Sequence, residues 1–564
     1  MTGLVCCLRR IMIAAVVLLF VVAATQPGLA QSTNRQIGTQ FTVTADPVVP
    51  RPFVKPCVVP LFSNYTFAYF SQEYQNFAYT PPADCPGPWS KVVLEVDFSE
   101  NAGIQYDRSV IMFLGDTDIY FGTTPEPLLN ATNTWHVERD LTDYSAAMTT
   151  AQTGLINLGN CTTDCSSNLT GVFTVSADLQ FYPADRADFF RTETPDVVLP
   201  LVEINSSGGA NLPQYLYKPT DQLATSFTFP TNIERIYLDV VAQSQNADEQ
   251  WYACFPNDLS GINFLFGCGN TDFRETEITI DGQPAGIAPV SPWVYTGFIP
   301  DQWTPIPAVQ TLDFVPYRVN LTPFAGLLDD GNPHTVALSV FNNDFYFGVS
   351  GTLLLYLDHG STRVTGAVTK NTLSAPSPVV SENLQGTTTV TGTIGVASNR
   401  NFTITGYVNT SHGKVTTSVS EQRRFASTET IDFNTSTGNP LDQNTAVQNS
   451  VATTTTVSSW FGQEVTKENF SFPITVNVTY PVSSATFGFT VATTQKYHTD
   501  KQIWFDGIPY YFDSRTNSVR GSDVSPAASS QRYTYFDSFG RFYDCQVASQ
   551  KNTLTKVGPL CELE

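Results

Sequence analysis

The chain has 564 residues, with 51 acidic against 29 basic side chains, a formal net charge of -22, and a charged fraction of only 14%. That acid surplus excludes a nucleic-acid binder, whose phosphate contacts need Lys and Arg, and it suits an acidic medium in which some carboxylates are neutralised. Low charge with abundant Thr, Val, Phe and Tyr favours strands over helices and points to an all-β fold.

The first 30 residues read as a secretory signal. Arg9 and Arg10 precede an apolar run over residues 11–24, and Gly28-Leu29-Ala30 offers small residues for cleavage. The run is shorter than the ~20 residues that a membrane span prefers. The expectation is export to the cell exterior or to a secretory or vacuolar lumen, without stable membrane association after cleavage. Cysteine usage agrees. Cys6 and Cys7 fall in the signal, and the other eight sit as sequence neighbours: Cys57 with Cys85, Cys161 with Cys165, Cys254 with Cys268, Cys545 with Cys561. Proximity suggests these pairs, although many connectivities are open. Sequons at Asn64, Asn130, Asn160, Asn168, Asn205, Asn320, Asn401, Asn409, Asn434, Asn469 and Asn477 fit a glycoprotein.

Beyond a polar lead-in, short alternating runs fill residues 58–183, punctuated by Pro and Gly at the spacing of a β-sandwich. Runs at 91–98, 110–114 and 172–181 are its strands, and residues 141–148 make its one short helical piece. Residues 184–221 lack a period and read as a linker. A second block of the same grammar runs from about 225 to 357. A third unit, from about 361, alternates well and is a β domain rather than a mucin-like tail. The predicted boundaries are a signal at 1–30, a first sandwich with linker at 31–199, a second at 200–360 and a C-terminal β domain at 361–564.

Residues 246–298 carry the densest chemistry. Glu249 and Trp251 precede Cys254; Cys268 leads into Asp272-Phe273-Arg274-Glu275; Asp281-Gly282 is a hairpin turn between strands. Carboxylates and an indole near a stapled loop suit a sugar-sized polar substrate, although solvated loop charges explain the same residues. Trp293, Tyr295 and Trp303 could line a sugar groove, or pack a core. In the first block, Asp107-Arg108 stands before the run at Val110; a plain surface pair is the alternative. Charges around Glu138 and Arg139 read as capping groups, and His136 and His334 as structural. No metal is expected: paired CxxC motifs are absent and the five histidines are scattered.

At these residues the chain resembles the peptide:N-glycanase A family, the plant and fungal peptide-N4-(N-acetyl-β-glucosaminyl)asparagine amidases. The likeness covers about residues 42–358. It rests on Tyr79-Thr80-Pro81-Pro82, Asp107-Arg108, Thr124-Pro125-Glu126-Pro127, Trp135-His136-Val137-Glu138-Arg139-Asp140, Glu249-Gln250-Trp251-Tyr252, Phe273-Arg274-Glu275 and Tyr295-Thr296-Gly297. Gln531-Arg532-Tyr533-Thr534-Tyr535-Phe536-Asp537 resembles the family's C-terminal signature. The resemblance implies two consecutive jelly-roll β-sandwiches followed by a C-terminal β domain, and a secreted amidase without cofactor. Its partners would be N-glycosylated peptides or denatured glycoproteins, cleaved at the Asn side-chain amide. The bacterial enzyme's essential aspartate lies in a Trp-Asp-Arg stretch, which Tyr106-Asp107-Arg108 resembles. Asn270 stands in the place of its essential glutamate, which leaves Glu249, Asp272 and Glu275 as possible substitutes. Asp107, Glu249, Glu275 and Arg274 are thus the expected catalytic residues, and Arg108, Trp251, Asp272 and Trp293 the expected substrate contacts. A non-catalytic glycan-binding protein or a two-carboxylate glycoside hydrolase are the alternatives.

Overall fold

The computed structural model describes residues 41–126, 130–162, 164, 168–184, 193–205, 207, 209–260, 268–434, 439–443, 447–458, 462–479, 489–558 and 561. The expected signal and Cys165 lie outside them.

Eight strands build the first unit: β1 (Cys57–Phe67), β2 (Tyr74–Tyr79), β3 (Trp89–Glu100), β4 (Ser109–Leu114), β5 (Thr117–Thr123), β6 (Asn133–Asp140), β7 (Gln152–Leu158) and β8 (Phe173–Pro183). They form two four-stranded sheets, in the orders β1-β8-β3-β6 and β2-β7-β4-β5. Alternation decides which face each residue takes: in β8, Phe173, Val175, Ala177, Leu179 and Phe181 are buried while the residues between them, Thr174, Ser176, Asp178 and Gln180, are half-exposed. The inward rows of both sheets meet in one core with Val92, Leu94, Val110, Met112 and Ile156. Each such side chain contributes about 1.5–3 kcal/mol by leaving water. The short helical piece expected near Leu141 is a 3-10 segment, Thr142–Met148.

The second unit repeats the plan with β9 (Val197–Pro200), β10 (Gln214–Leu216), β11 (Leu223–Thr228), β12 (Ile233–Gln245), β13 (Glu275–Ile280), β14 (Gln283–Pro289), β15 (Tyr317–Asn320), β16 (Pro333–Phe341) and β17 (Tyr346–Leu357). One sheet runs β10-β17-β12-β15, with β9 also on β17; the other runs β11-β16-β13-β14. The expected linker is therefore not free of structure, because β9 and β10 pair along β17. These strands are too short to show a period. Asp281 and Gly282 both take positive φ, 50° and 75°, as the tight turn between β13 and β14 requires.

From Thr365 on, the described residues form a thirteen-stranded antiparallel sheet whose longest pair is β18 (Thr389–Thr410) and β19 (Gly413–Asn434). This sheet shares its core with the second unit: Val396, Phe402 and Phe425 join Trp251, Phe273 and Phe324 in one cluster. Residues at the start of the described chain dock on the same sheet, where Val43 and Ala45 pack against Tyr543 and Cys545. Disulfides join Cys57 to Cys85, Cys254 to Cys268 and Cys545 to Cys561. Cys161 is also disulfide-bonded. Most described sequon asparagines are at least partly exposed. Asn160 is the exception: it is 1% exposed, and its Nδ2 donates to the carbonyls of Phe67 and Gly171. The folded chain has no room for a glycan there.

Candidate active site

The first two units meet where β4 and β5 pack across β12. Ile111, Phe113 and Phe121 interlock with Val241, Trp293, Tyr295 and Phe314 in an apolar cluster. Polar contacts extend the seam at one end. Gln243 Nε2 donates to Ser109 Oγ at 2.8 Å, and Thr296 Oγ1 donates to the Thr124 carbonyl at 3.2 Å. That end of β12 leads to Glu249, and the facing end of β4 leads back to Asp107.

Asp107 is set by the hairpin of β4 and β5. Ser109 opposes Thr123, and the ladder continues one step outward: Thr124 N–H donates to the Arg108 carbonyl, and Arg108 N–H donates to Thr124 Oγ1. Glu126 thereby comes across from Asp107. The second unit closes the third side with Gly297, whose N–H donates to Asp107 Oδ2 at 3.0 Å. A Cβ at Gly297 would lie 2.3 Å from Asp107 Oδ1 and 2.8 Å from Glu126 Oε2, so both carboxylates crowd the same glycine face and any side chain there would displace them. Glu249 is placed by Ser244, whose Oγ donates to the Glu249 carbonyl, while the buried Tyr295 hydroxyl donates to the Ser244 carbonyl at 2.7 Å.

Three carboxyls near one another cannot all ionise easily. Burial, reinforced by the charge of Asp107, pushes Glu126 up to about 7, and the same two causes push Glu249 up to about 7. Burial raises Asp107 too, but the Gly297 N–H and the Arg108 guanidinium both favour its ionised form. Those two supports mark Asp107 as the member of the cluster best fitted to carry the charge. Arg108 is half-buried, and burial lowers its own pKa against the pull of Asp107. Among the described residues nothing accepts a hydrogen bond from its guanidinium, and its Nε is buried without a partner. It is available to a substrate.

The other expected residues lie elsewhere. Arg274 is fully buried: its Nε and Nη2 reach Asp248 Oδ1 at 3.0 and 2.7 Å, and it donates to the carbonyls of Gly269, Thr271 and Phe273. It organises the loop rather than facing Asp107. Glu275 is buried against Arg400 of the third unit. Asp272 is buried as well; burial raises its carboxyl against the influence of Ser427 of the third unit. Trp251 packs on Tyr252 and Phe425, and Trp293 on Phe314 with ring centres 4.1 Å apart. At 1% and 4% exposure neither indole offers a face to a sugar. Sequence reasoning placed these residues at a site because they crowd one segment, but the third unit covers Trp251, Asp272 and Glu275, Asp248 and the loop carbonyls hold Arg274, and the seam between the first two units buries Trp293.

Conversely, Glu126 and Gly297 had no assigned role, and Tyr295, expected either to line a sugar groove or to pack a core, is buried and holds Ser244 instead. The signal for Glu126 was the hairpin turn at Gly115, which pairs β5 with β4 and so sets residues after 123 opposite Asp107. Groups that could hold a cation do occur among the described residues, namely Glu95 with His136 and Glu138, and Glu234 with Asp358 and His412. Arg51 already bridges Glu95 and Glu138 at 2.7 Å each, and neither group includes a site carboxylate.

Residues 47–374 match the family profile described as peptide N-acetyl-beta-D-glucosaminyl asparaginase amidase A. The chain belongs to that family. A curated member, peptide-N4-(N-acetyl-beta-glucosaminyl)asparagine amidase A of Prunus dulcis, is 32% identical over 392 residues. The match covers 67% of this chain and 66% of the almond protein's length. The described residues of the amidase A match contain Asp107, Arg108, Glu126, Glu249 and Gly297. Among solved structures, PNGase F, a glycosylasparaginase from Flavobacterium meningosepticum, is 15% identical with a TM-score of 0.36, over 54% of this chain and 96% of that one. PNGF-II is 14% identical with a TM-score of 0.37, over 54% and 66%.

Proposed function

We propose that the chain hydrolyses the side-chain amide joining an N-glycan to asparagine. The observation that carries this reading is the crowding of Asp107 and Glu126 on Gly297, with Glu249 near enough to feel the charge of Asp107 and the Arg108 guanidinium without a hydrogen-bond acceptor beside them, in a chain of the amidase A family. Asp107 takes a proton from water as the water oxygen attacks the Asn Cγ carbonyl. Arg108 hydrogen-bonds the oxygen that becomes negative, a role that Arg274, held by Asp248, cannot fill. The C–N bond breaks as Glu249, protonated below about pH 7, gives its proton to the departing nitrogen. The products are an aspartyl peptide and a glycosylamine. Glu126 crowds Asp107 and keeps a proton in the cluster, which leaves one net charge to serve as base.

The substrates on this reading are N-glycosylated peptides or denatured glycoproteins, met in a secretory or extracellular compartment. Each of the first two units is read as a jelly roll; the orders β1-β8-β3-β6 and β2-β7-β4-β5 support this for the first. The two sandwiches and the C-terminal sheet are taken to divide near residues 200 and 360. Mass spectrometry of a digested N-glycopeptide tests the reaction. Conversion of Asn to Asp with release of the whole glycan is the expected result; Asn still bearing one sugar would replace this reading with a glycosidase.

A further inference from the structure

A group of aromatic rings stands at the rim of the carboxylate site, on the strand ends that carry it. Tyr346 opens β17 and pairs with Gln245, the last residue of β12, four positions before Glu249. Tyr215 lies in β10, and Tyr217 follows that strand's end. Ring centres are 5.5 Å apart for Tyr217 and Tyr346, 5.7 Å for Tyr215 and Tyr346, and 5.1 Å for Phe345 and Tyr346. These are ordinary core-packing distances, yet Tyr217 is 58% and Phe345 44% exposed. Across the seam Tyr74 opens β2 at 49% exposure, close enough for its charge and that of Glu73 to bear on Tyr215. The charge of Glu249 reaches Tyr346 in the same way. Among the described residues, nothing accepts a hydrogen bond from the hydroxyls of Tyr217 or Tyr346.

The rings are also held in place. The N–H groups of Asp344 and Phe345 both donate to Asp248 Oδ2 at 2.7 Å, and Asp248 is fixed by the buried Arg274. The stapled loop adds Asn270 Nδ2 on the Asn343 carbonyl and Asn342 Nδ2 on the Asn270 carbonyl. A buried ion pair beneath an exposed aromatic hairpin fixes ring positions, as stacking on a rigid ligand requires.

We propose that Tyr217, Phe345 and Tyr346, with Tyr74 opposite, form a stacking subsite for the pyranose rings of the glycan beyond the sugar attached to Asn. The inference rests on the amidase reading for the orientation of the glycan. The chemistry fits an uncharged carbohydrate: flat apolar faces for the C–H side of a sugar ring, and unpaired phenol hydroxyls for its rim. In this arrangement Arg274 and Asp248 are positioning residues, acting through the rings.

The test compares two substrates on one peptide, the first with a full N-glycan and the second with a single N-acetylglucosamine. Tyr217→Ala and Phe345→Ala are made in the wild type for kinetics and in Asp107→Asn for equilibrium binding by calorimetry. The expected result is a roughly tenfold rise in KM and in the dissociation constant for the full glycan, as one lost stacking contact implies. Turnover number stays unchanged, the single-sugar substrate shifts less than twofold, and Tyr217→Phe, which keeps the ring and loses only the hydroxyl, recovers most of the loss. Equal losses on both substrates, or none on either, would overturn the subsite. So would competition by the unglycosylated peptide that the substitutions abolish, which would make the rings a peptide-binding surface. If wild-type protein binds the full glycan without turnover, the amidase reading fails, while the Asp107→Asn binding series still decides the subsite.

Discussion

Arg274→Met is the perturbation that best separates a buttress from a catalytic group. In the folded chain Arg274 is 0% exposed and paired with an equally buried Asp248. The substitution keeps the volume of the stem and strands the carboxylate. Removing one member of a buried pair costs about 3–5 kcal/mol. Two N–H groups still bond Asp248, which holds the loss toward the lower end, while the carbonyls of Gly269, Thr271 and Phe273 lose their donor. The cost falls on the loop and the 342–345 hairpin. A local loss of about 3 kcal/mol corresponds to exchange of the Asp344 and Phe345 amides about a hundredfold faster. Hydrogen-exchange mass spectrometry of that hairpin reads the loss directly, and steady-state kinetics should show a raised KM with turnover number reduced far less. Cys254→Ser should mimic it, since opening a loop of 14-residue separation costs about 3 kcal/mol. If Arg274→Met abolishes turnover while amide protection at Phe345 is unchanged, the guanidinium acts on substrate and the buttress is wrong.

Glu249→Gln and Glu275→Gln should part company. The first loses the proposed proton donor and turnover with it. The second leaves Arg400 buried beside a neutral amide, lowers the urea midpoint and spares turnover; comparable losses of turnover in both would contradict the placement. Thermal stability should fall as pH rises from about 4.5 to about 7. Glu126, Glu249 and Asp329 have folded pKa values raised to about 7, so the folded state binds more protons than the unfolded one in that window. Carboxyls lowered by partners, such as Asp330 at about 2 and Asp537, act oppositely and withdraw stability only below about pH 4. A melting temperature that rises steadily from pH 5 to 8 would contradict this balance. Activity should decline above about pH 7 as Glu249 loses its proton.

The strand grammar of this fold was legible in the sequence because each unit buries one face, and alternation at positions such as 173–181 reports that directly. Three of the disulfide neighbours, Cys57 with Cys85, Cys254 with Cys268 and Cys545 with Cys561, and the turn at Asp281-Gly282 were legible for equally local reasons. The site was legible only in part. Asp107, Arg108 and Glu249 came through the family's motifs, but Trp251, Arg274 and Glu275 shared their segment and looked equally functional. What separates them is which side of the second unit the third sheet covers, for Trp251 and Glu275, and the pairing with Asp248 across the loop, for Arg274, both long-range facts without any local signal. Glu126 needed the register of β4 on β5, and Gly297 needed the docking of one unit on another. The linker hid β9 and β10 because three or four residues are too few to show a period.

The central claim is that Asp107 directs water onto the Asn amide. Digestion of a tagged N-glycopeptide in heavy-oxygen water, read by mass spectrometry for wild type and Asp107→Asn side by side, tests it most directly. The account predicts an Asp product carrying one labelled oxygen with the wild type, and a rate at least ~100-fold lower for a normally folded Asp107→Asn. Near-normal turnover by Asp107→Asn, or a product that retains sugar on unlabelled Asn, would contradict it.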